Sequence, residues 1–237
     1  MNRSPRIENA GVGAWLVRLF DMIEEQNLPW VMALARECEQ TFGVALIDLV
    51  PSYTTLLVQY DPLRMSPDQA RGLLQQLVSA LAVTDDGGDS PVRELPVWYD
   101  PSVGPELLVL AEGKGLSVTS LIELHTAPVY QVFALGFAPG FAFMGSVDPE
   151  LRAPRLATPR KRVYPGSVAI AGSQTSAYPA ASPGGWNLIG RTPTVLFDRN
   201  REQMSYFQVG DKVRMVSVSK DEFLRLGGDT TPQEADG

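Results

Sequence analysis

The sequence predicts an α+β protein, with a small ferredoxin-like α/β sandwich over residues 1–90 followed by a β-barrel over residues 91–237. Three observations carry that prediction. The first hundred residues alternate strand and helix signals in the order βαββαβ. The remainder holds short strand signals parted by long glycine- and proline-rich loops, a spacing that favours a closed or nearly closed barrel over a layered sheet. Between them, Thr84-Asp85-Asp86-Gly87-Gly88-Asp89-Ser90 reads as a hinge.

Taken in order, residues 12–20 read as a strand. Asn27 and Pro29 then open a helix in which Trp30, Leu34, Cys38 and Phe42 recur every four residues and Gly43 ends the run. On that stripe Cys38 reads as a small buried apolar residue rather than a nucleophile. Residues 44–50 and 53–60 are aliphatic and β-branched, with a tight step at Pro51-Ser52. Ser66-Pro67-Asp68-Gln69 is a capping box, backed by Leu73, Leu74, Leu77, Val78 and Leu81. Residues 92–99 complete the βαββαβ order as its closing strand. Two short helices follow, 105–112 and 118–125, the second capped by Ser117. In it Val118, Leu121, Ile122 and His125 fall on one face, so the imidazole is partly buried. Residues 130–137, 168–171, 194–198 and 212–219 read as strands, 208–211 as a turn, and 229–237 as a frayed tail.

Composition excludes several classes. The net charge is −7, yet residues 151–197 carry Arg152, Arg155, Arg160, Lys161, Arg162 and Arg191 with no acidic residue. A basic excess confined to one loop-rich stretch points to a small anion rather than to nucleic acid, which needs a broad basic face. One cysteine permits no internal disulfide and no CxxC pair, as expected in a reducing compartment. With a single histidine, a zinc site would have to draw on carboxylates. There is no basic-then-apolar leader and no apolar run of membrane-spanning length, so the expected location is the cytoplasm.

For Arg155, Arg160 and Arg191, each beside a proline or threonine that stiffens the backbone, anion binding is the stronger reading. Lys161 and Arg162 divide evenly between that role and a solvated surface. Pro139-Gly140-Phe141 and Pro183-Gly184-Gly185-Trp186 bring main chain close to something a side chain would obstruct. They are either amide cradles for an anion or structural turns. Neither matches a Walker A or dinucleotide pattern, and no G-x-S-x-G elbow accompanies the histidine. His125 is either a general acid–base or a core histidine satisfied by its neighbours. Ser167, Ser173, Gln174, Thr175 and Tyr178 supply polar groups of the kind that orient a small ligand.

The motifs GFAPGF (136–141), PRLATPR (154–160), GSVAIAGSQT (166–175), YP (178–179) and SPGGWNLIGRTP (182–193) resemble a known family, as do ELH ending at His125 and VPSYTTLLVQYDP (50–62). It is the family of the 5-oxoprolinase B subunit, the sporulation kinase inhibitor KipI and allophanate hydrolase subunit 1. The resemblance implies that the barrel is cyclophilin-like. It implies two companions, a barrel-type C subunit (KipA-like) and a TIM-barrel-like A subunit (LamB/YcsF-like). It also implies ATP-dependent opening of the 5-oxo-L-proline lactam to L-glutamate, ATP activating the amide by phosphorylating its carbonyl oxygen. Two other activities exist within the resemblance: inhibition of a sensor histidine kinase, and hydrolysis of allophanate or another urea-derived amide.

Carried onto this chain, the resemblance implies one pocket with His125, Arg160 and Gln174 as catalytic residues. Phe137, Pro139, Gly140, Phe141, Arg155, Ser167, Tyr178, Gly184, Gly185, Trp186, Arg191 and Thr192 would bind the substrate or its anion. Two departures bear on the substrate: Phe143-Met144 where relatives have tyrosine and leucine, and a proline moved to Pro165. On this reading Arg160→Ala and Arg191→Ala abolish turnover and leave the thermal transition nearly unchanged.

Overall fold

The computed structural model describes residues 5–83 and 91–234; the segment read as a hinge, 84–90, lies outside the described residues. The chain divides into two compact units, Met1–Asp89 and Ser90–Gly237.

The first unit is an antiparallel sheet with two helices. Strands β1 (Arg6–Gly11) and β2 (Ala14–Arg18) form a hairpin where the sequence reading has one strand. Val12 stands in the turn, and at Gly13 (φ +72°) a Cβ would lie 2.6 Å from the Tyr60 carbonyl oxygen, so the tight return needs glycine. Helix α1 (Leu28–Phe42) starts with Pro29 in its first turn and buries Leu28, Val31, Leu34, Ala35, Cys38 and Phe42. Cys38 is fully buried, and burial pushes its thiol up to about 12. Strands β3 (Leu46–Ser52) and β4 (Thr55–Tyr60) follow, then helix α2 (Pro67–Ala80). The Ser66 hydroxyl accepts the Gln69 amide at 3.3 Å, and the Gln69 side chain accepts the Ser66 amide at 3.0 Å.

The strand order in this unit is β1-β2-β4-β3. The slot beside β2 that the βαββαβ reading gives to residues 92–99 is thus filled by β1. Residues 92–99 instead contain β5 (Arg93–Val97), which runs parallel to a strand near the C-terminus. The reason is apolar: Leu95 and Val97 are fully buried in the large core of the second unit. β1, with only Ile7 half-buried, carries no alternation strong enough to reveal it.

In the second unit β5 leads to helices α3 (Glu106–Gly113) and α4 (Val118–Thr126), the latter capped by the Ser117 hydroxyl, which accepts the Ser120 amide at 3.0 Å. Strands β6 (Val129–Leu135), β7 (Ala142–Gly145), β8 (Arg160–Val163), β9 (Ser167–Ala171), β10 (Gln174–Ala177), β11 (Ser182–Gly184), β12 (Asn187–Arg191) and β13 (Lys212–Ser217) follow, then helix α5 (Lys220–Arg225). The ladder runs β5-β13-β6-β7-β10-β9-β12, and β8 pairs separately with β11. It is an open sheet, and its two ends meet at one bridge. The Trp98 amide donates to the Arg191 carbonyl at 2.8 Å, and the Arg191 amide to the Trp98 carbonyl at 2.9 Å. At Gly190 a Cβ would stand 2.8 Å from the Trp98 carbonyl oxygen, so this approach depends on glycine.

Every residue of β9 and β12 is buried, because both faces of these strands are covered. Val168, Ile170 and Ile189 enter the main core with Val132, Met144 and Phe207, whereas Ala169, Ala171 and Leu188 face a second, aromatic cluster. Residues 194–198 form only a bridge, Phe197 to Ser205, where the sequence reading has a strand. The tail is held rather than frayed over its described part. The Gln233 amide donates to the Ser102 carbonyl at 2.8 Å, and its side chain bridges the Tyr164 amide and the Arg162 carbonyl. Among the described residues no helix is long and apolar enough to cross a membrane.

Candidate functional site

The glycine-rich motifs meet around a cavity of about 90 Å³ in the second unit, lined by Phe137, Phe141, Phe143, Arg155, Tyr178, Gly184, Gly185 and Trp186. Phe141 is its hub. Its ring packs edge-to-face on Phe137 (5.2 Å between centroids), Phe143 (4.9 Å), Tyr178 (5.2 Å) and Trp186 (5.6 Å). The 136–141 loop is folded on itself, the Phe141 amide donating to the Ala138 carbonyl at 3.0 Å. Its Gly140 (φ +84°) is set by packing, since a Cβ there would come within 2.7 Å of the Leu196 carbonyl oxygen. A Cβ on Gly184 would run into the Tyr178 hydroxyl, so that glycine lets the phenol lie against main chain. Burial pushes Tyr178 up to about 12, against smaller downward pulls from the Trp186 main chain, Arg155 and Arg160. It therefore stays a neutral O–H donor at neutral pH.

The three arginines separate. Arg155 is exposed and stacks its guanidinium 6.0 Å from the Trp186 ring centre, at the cavity. Arg160, on β8 opposite Gly184, is only 9% exposed and is ion-paired with Glu106 of α3. The other Glu106 oxygen accepts the Leu188 amide at 2.9 Å. Arg191 is fully buried away from the cavity lining and donates from Nη1 to the Asp229 and Thr231 carbonyls at 2.9 and 2.6 Å. Desolvation pulls its pKa down, against upward pulls from Asp229 and Tyr164. Both burials reverse the expectation that Arg160→Ala and Arg191→Ala leave the melting temperature unchanged: each removes a charge that holds buried partners.

His125 is fully buried, and its bonds fix the tautomer. Thr175 Oγ1 donates to the Ala169 carbonyl at 3.1 Å, so it accepts from His125 Nε2 at 2.9 Å. Nδ1 then accepts the Tyr99 hydroxyl proton at 2.7 Å. Burial lowers the imidazole to about 3 and raises Tyr99 well above its ordinary value. The ring is a satisfied neutral member of the core and does not line the cavity.

Gln174 begins β10, half-buried and paired with Gly145 and Ala171. Ser167 is buried on β9, and Thr192 donates its amide to the Gly166 carbonyl at 2.8 Å. Pro139 is exposed at the loop tip. The structure thus brings Phe137, Phe141, Arg155, Tyr178, Gly184, Gly185 and Trp186 to one place, and sets His125, Arg160, Gln174, Ser167, Arg191 and Thr192 outside that lining. Sequence reasoning missed Phe143 as a wall of the cavity and Glu106 as the partner of Arg160. The i, i+2 spacing of Phe141 and Phe143 carries the first signal. The second lies 54 positions away in sequence and has none.

The family model of the carboxyltransferase domain, subdomain C and D, matches residues 5–207. A relative from Bacillus subtilis (strain 168), the 5-oxoprolinase B subunit, is 34% identical over 227 residues, covering 92% of this chain and 95% of its own length. The chain belongs to the 5-oxoprolinase B-subunit family. The crystal structure of TTHA0988 superposes with a TM-score of 0.76 at 37% identity over 87% of this chain, which spans only 40% of that longer protein. The urea carboxylase of Kluyveromyces lactis shares the fold alone, with a TM-score of 0.75 at 18% identity, and this chain spans 22% of it. All cavity residues fall inside the 5–207 family match, whereas the 229–233 segment that Arg191 and Gln233 hold lies beyond it.

Proposed function

We propose that this chain is the B subunit of a cytoplasmic, ATP-dependent 5-oxoprolinase that acts with its companion C and A subunits to convert 5-oxo-L-proline to L-glutamate. The observation that carries this reading is the match to a B-subunit relative across nearly the full length of both chains. On this reading the second unit is the cyclophilin-like barrel of the family, its open sheet drawn together at Trp98 and Arg191.

A ring amide resists water, and ATP supplies the activation its cleavage requires. The three arginines put forward as anion binders do not gather into one triphosphate cradle. Arg160 is already paired with Glu106, Arg191 is committed to two main-chain carbonyls, and Arg155 stands alone at the cavity. On this reading ATP is held by one of the companions, and no step on this chain runs through it. The test is reconstitution: the three purified proteins with 5-oxo-L-proline and ATP, assayed for glutamate. Release that stops when this chain is omitted supports the proposal, and no glutamate from the complete mixture overturns it.

A further inference from the structure

The cavity has a chemistry of its own. Its walls are flat aromatic faces and edges, it contains no carboxylate, and it has one cation, Arg155. Among the described residues no carboxylate oxygen lies within 4 Å of that guanidinium, in contrast to Arg160. An exposed, uncancelled guanidinium beside an aromatic wall favours an anion and opposes an ammonium group, which the rings alone would attract. The volume of about 90 Å³ admits a compact molecule of roughly ten heavy atoms or fewer.

The mouth adds a second observation. Phe137 holds a left-handed backbone (φ +68°) that costs a non-glycine residue stability, yet the residue is 64% exposed and its ring rests on Phe141 and, at 6.2 Å and 90°, on Tyr178. A strained, exposed aromatic residue at a cavity mouth is what a ligand contact requires and core packing does not.

We propose that this cavity binds a compact planar carboxylate with an uncharged ring, the carboxylate on Arg155, the ring against Phe137, Phe141 and Trp186, and a ring carbonyl accepting from the Tyr178 hydroxyl. This deepens the 5-oxoprolinase reading and rests on it for the identity of the ligand, 5-oxo-L-proline. The cavity discriminates against amino acids: a free ammonium meets a guanidinium and finds no carboxylate.

Isothermal titration of the full chain tests it with three probes: 5-oxo-L-proline, 2-pyrrolidinone, which lacks the carboxylate, and L-proline, which carries an ammonium. The first binds at least tenfold tighter than either of the others, and Arg155→Met removes its margin over 2-pyrrolidinone. Phe137→Gly weakens 5-oxo-L-proline binding severalfold at a melting temperature equal to or above the parent's, because glycine relieves the backbone. Equal binding of 5-oxo-L-proline and 2-pyrrolidinone, tighter binding of proline, absence of binding, or indifference to Arg155→Met overturns the assignment. The same variants in the reconstituted mixture separate the two proposals. Glutamate release with an unchanged KM in Arg155→Met sinks the cavity and spares the role in the complex. Arg155-dependent binding without glutamate release from the complete mixture does the reverse.

Discussion

Replacing Glu106 by leucine tests whether the buried pair behind the cavity is structural. The two side chains are 13% and 10% exposed, and the carboxylate serves both the Arg160 guanidinium and the Leu188 amide. Removing it strands a buried positive charge and one buried N–H. Breaking such a pair costs about 3–5 kcal/mol. For a chain of this size each kcal/mol shifts the melting temperature by about 2–4 °C, so a fall of roughly 6–20 °C is expected in the transition of the second unit. Differential scanning calorimetry reads it, with urea unfolding followed by circular dichroism as the cross-check. In Glu106→Leu/Arg160→Met both charges leave together, and at least half the loss returns, since an apolar pair of similar volume can be close to neutral. A single variant within about 1 kcal/mol of the parent, or a double variant less stable than the single, refutes the argument.

His125 gives a pH signature. Its folded pKa of about 3 lies below the ordinary 6.5, so between these values the unfolded chain binds a proton that the folded chain refuses. Its contribution is intact above pH 6.5 and is lost as pH falls towards 3, at about 1.4 kcal/mol per unit. Urea midpoints between pH 7 and 5 show that slope in the parent and a shallower one in His125→Gln; parallel slopes contradict a neutral buried imidazole. Truncation after Gly228 removes the Asp229 and Thr231 carbonyls and the Gln233 bridge, stranding Arg191 in the core. A loss of about 2–4 kcal/mol is expected in chemical denaturation, and no loss would mean that these contacts do not persist in solution.

The parts legible in the sequence are those fixed by local rules. The capping box at Ser66 and the Ser117 cap appear where their spacing places them, because each is satisfied within four residues. The motif glycines at 140 and 184 are legible as close approaches, although the neighbours they admit, Leu196 and Tyr178, are distant in sequence. In the sequence Arg155, Arg160 and Arg191 read alike, each beside a proline or threonine within one basic stretch. What separates them is a carboxylate on helix α3 and a pair of carbonyls about 40 residues away. The closing strand failed for the same reason: residues 93–97 alternate correctly for a strand, but a strand signal does not name its neighbour.

The parallel pairing of β5 with β13 also sets a timetable for biosynthesis. Arg93 pairs with Val213, 120 positions later, so at about 5–20 residues per second β5 waits roughly 6–24 s for its neighbour to be made. Until then Leu95 and Val97 lack the strand that pairs with theirs, whereas the β1-β2, β2-β4 and β3-β4 pairs of the first unit are complete in sequence by residue 60. The amino-terminal unit can thus complete its internal strand pairs during synthesis, whereas the second unit must wait for its last strand before its sheet is whole.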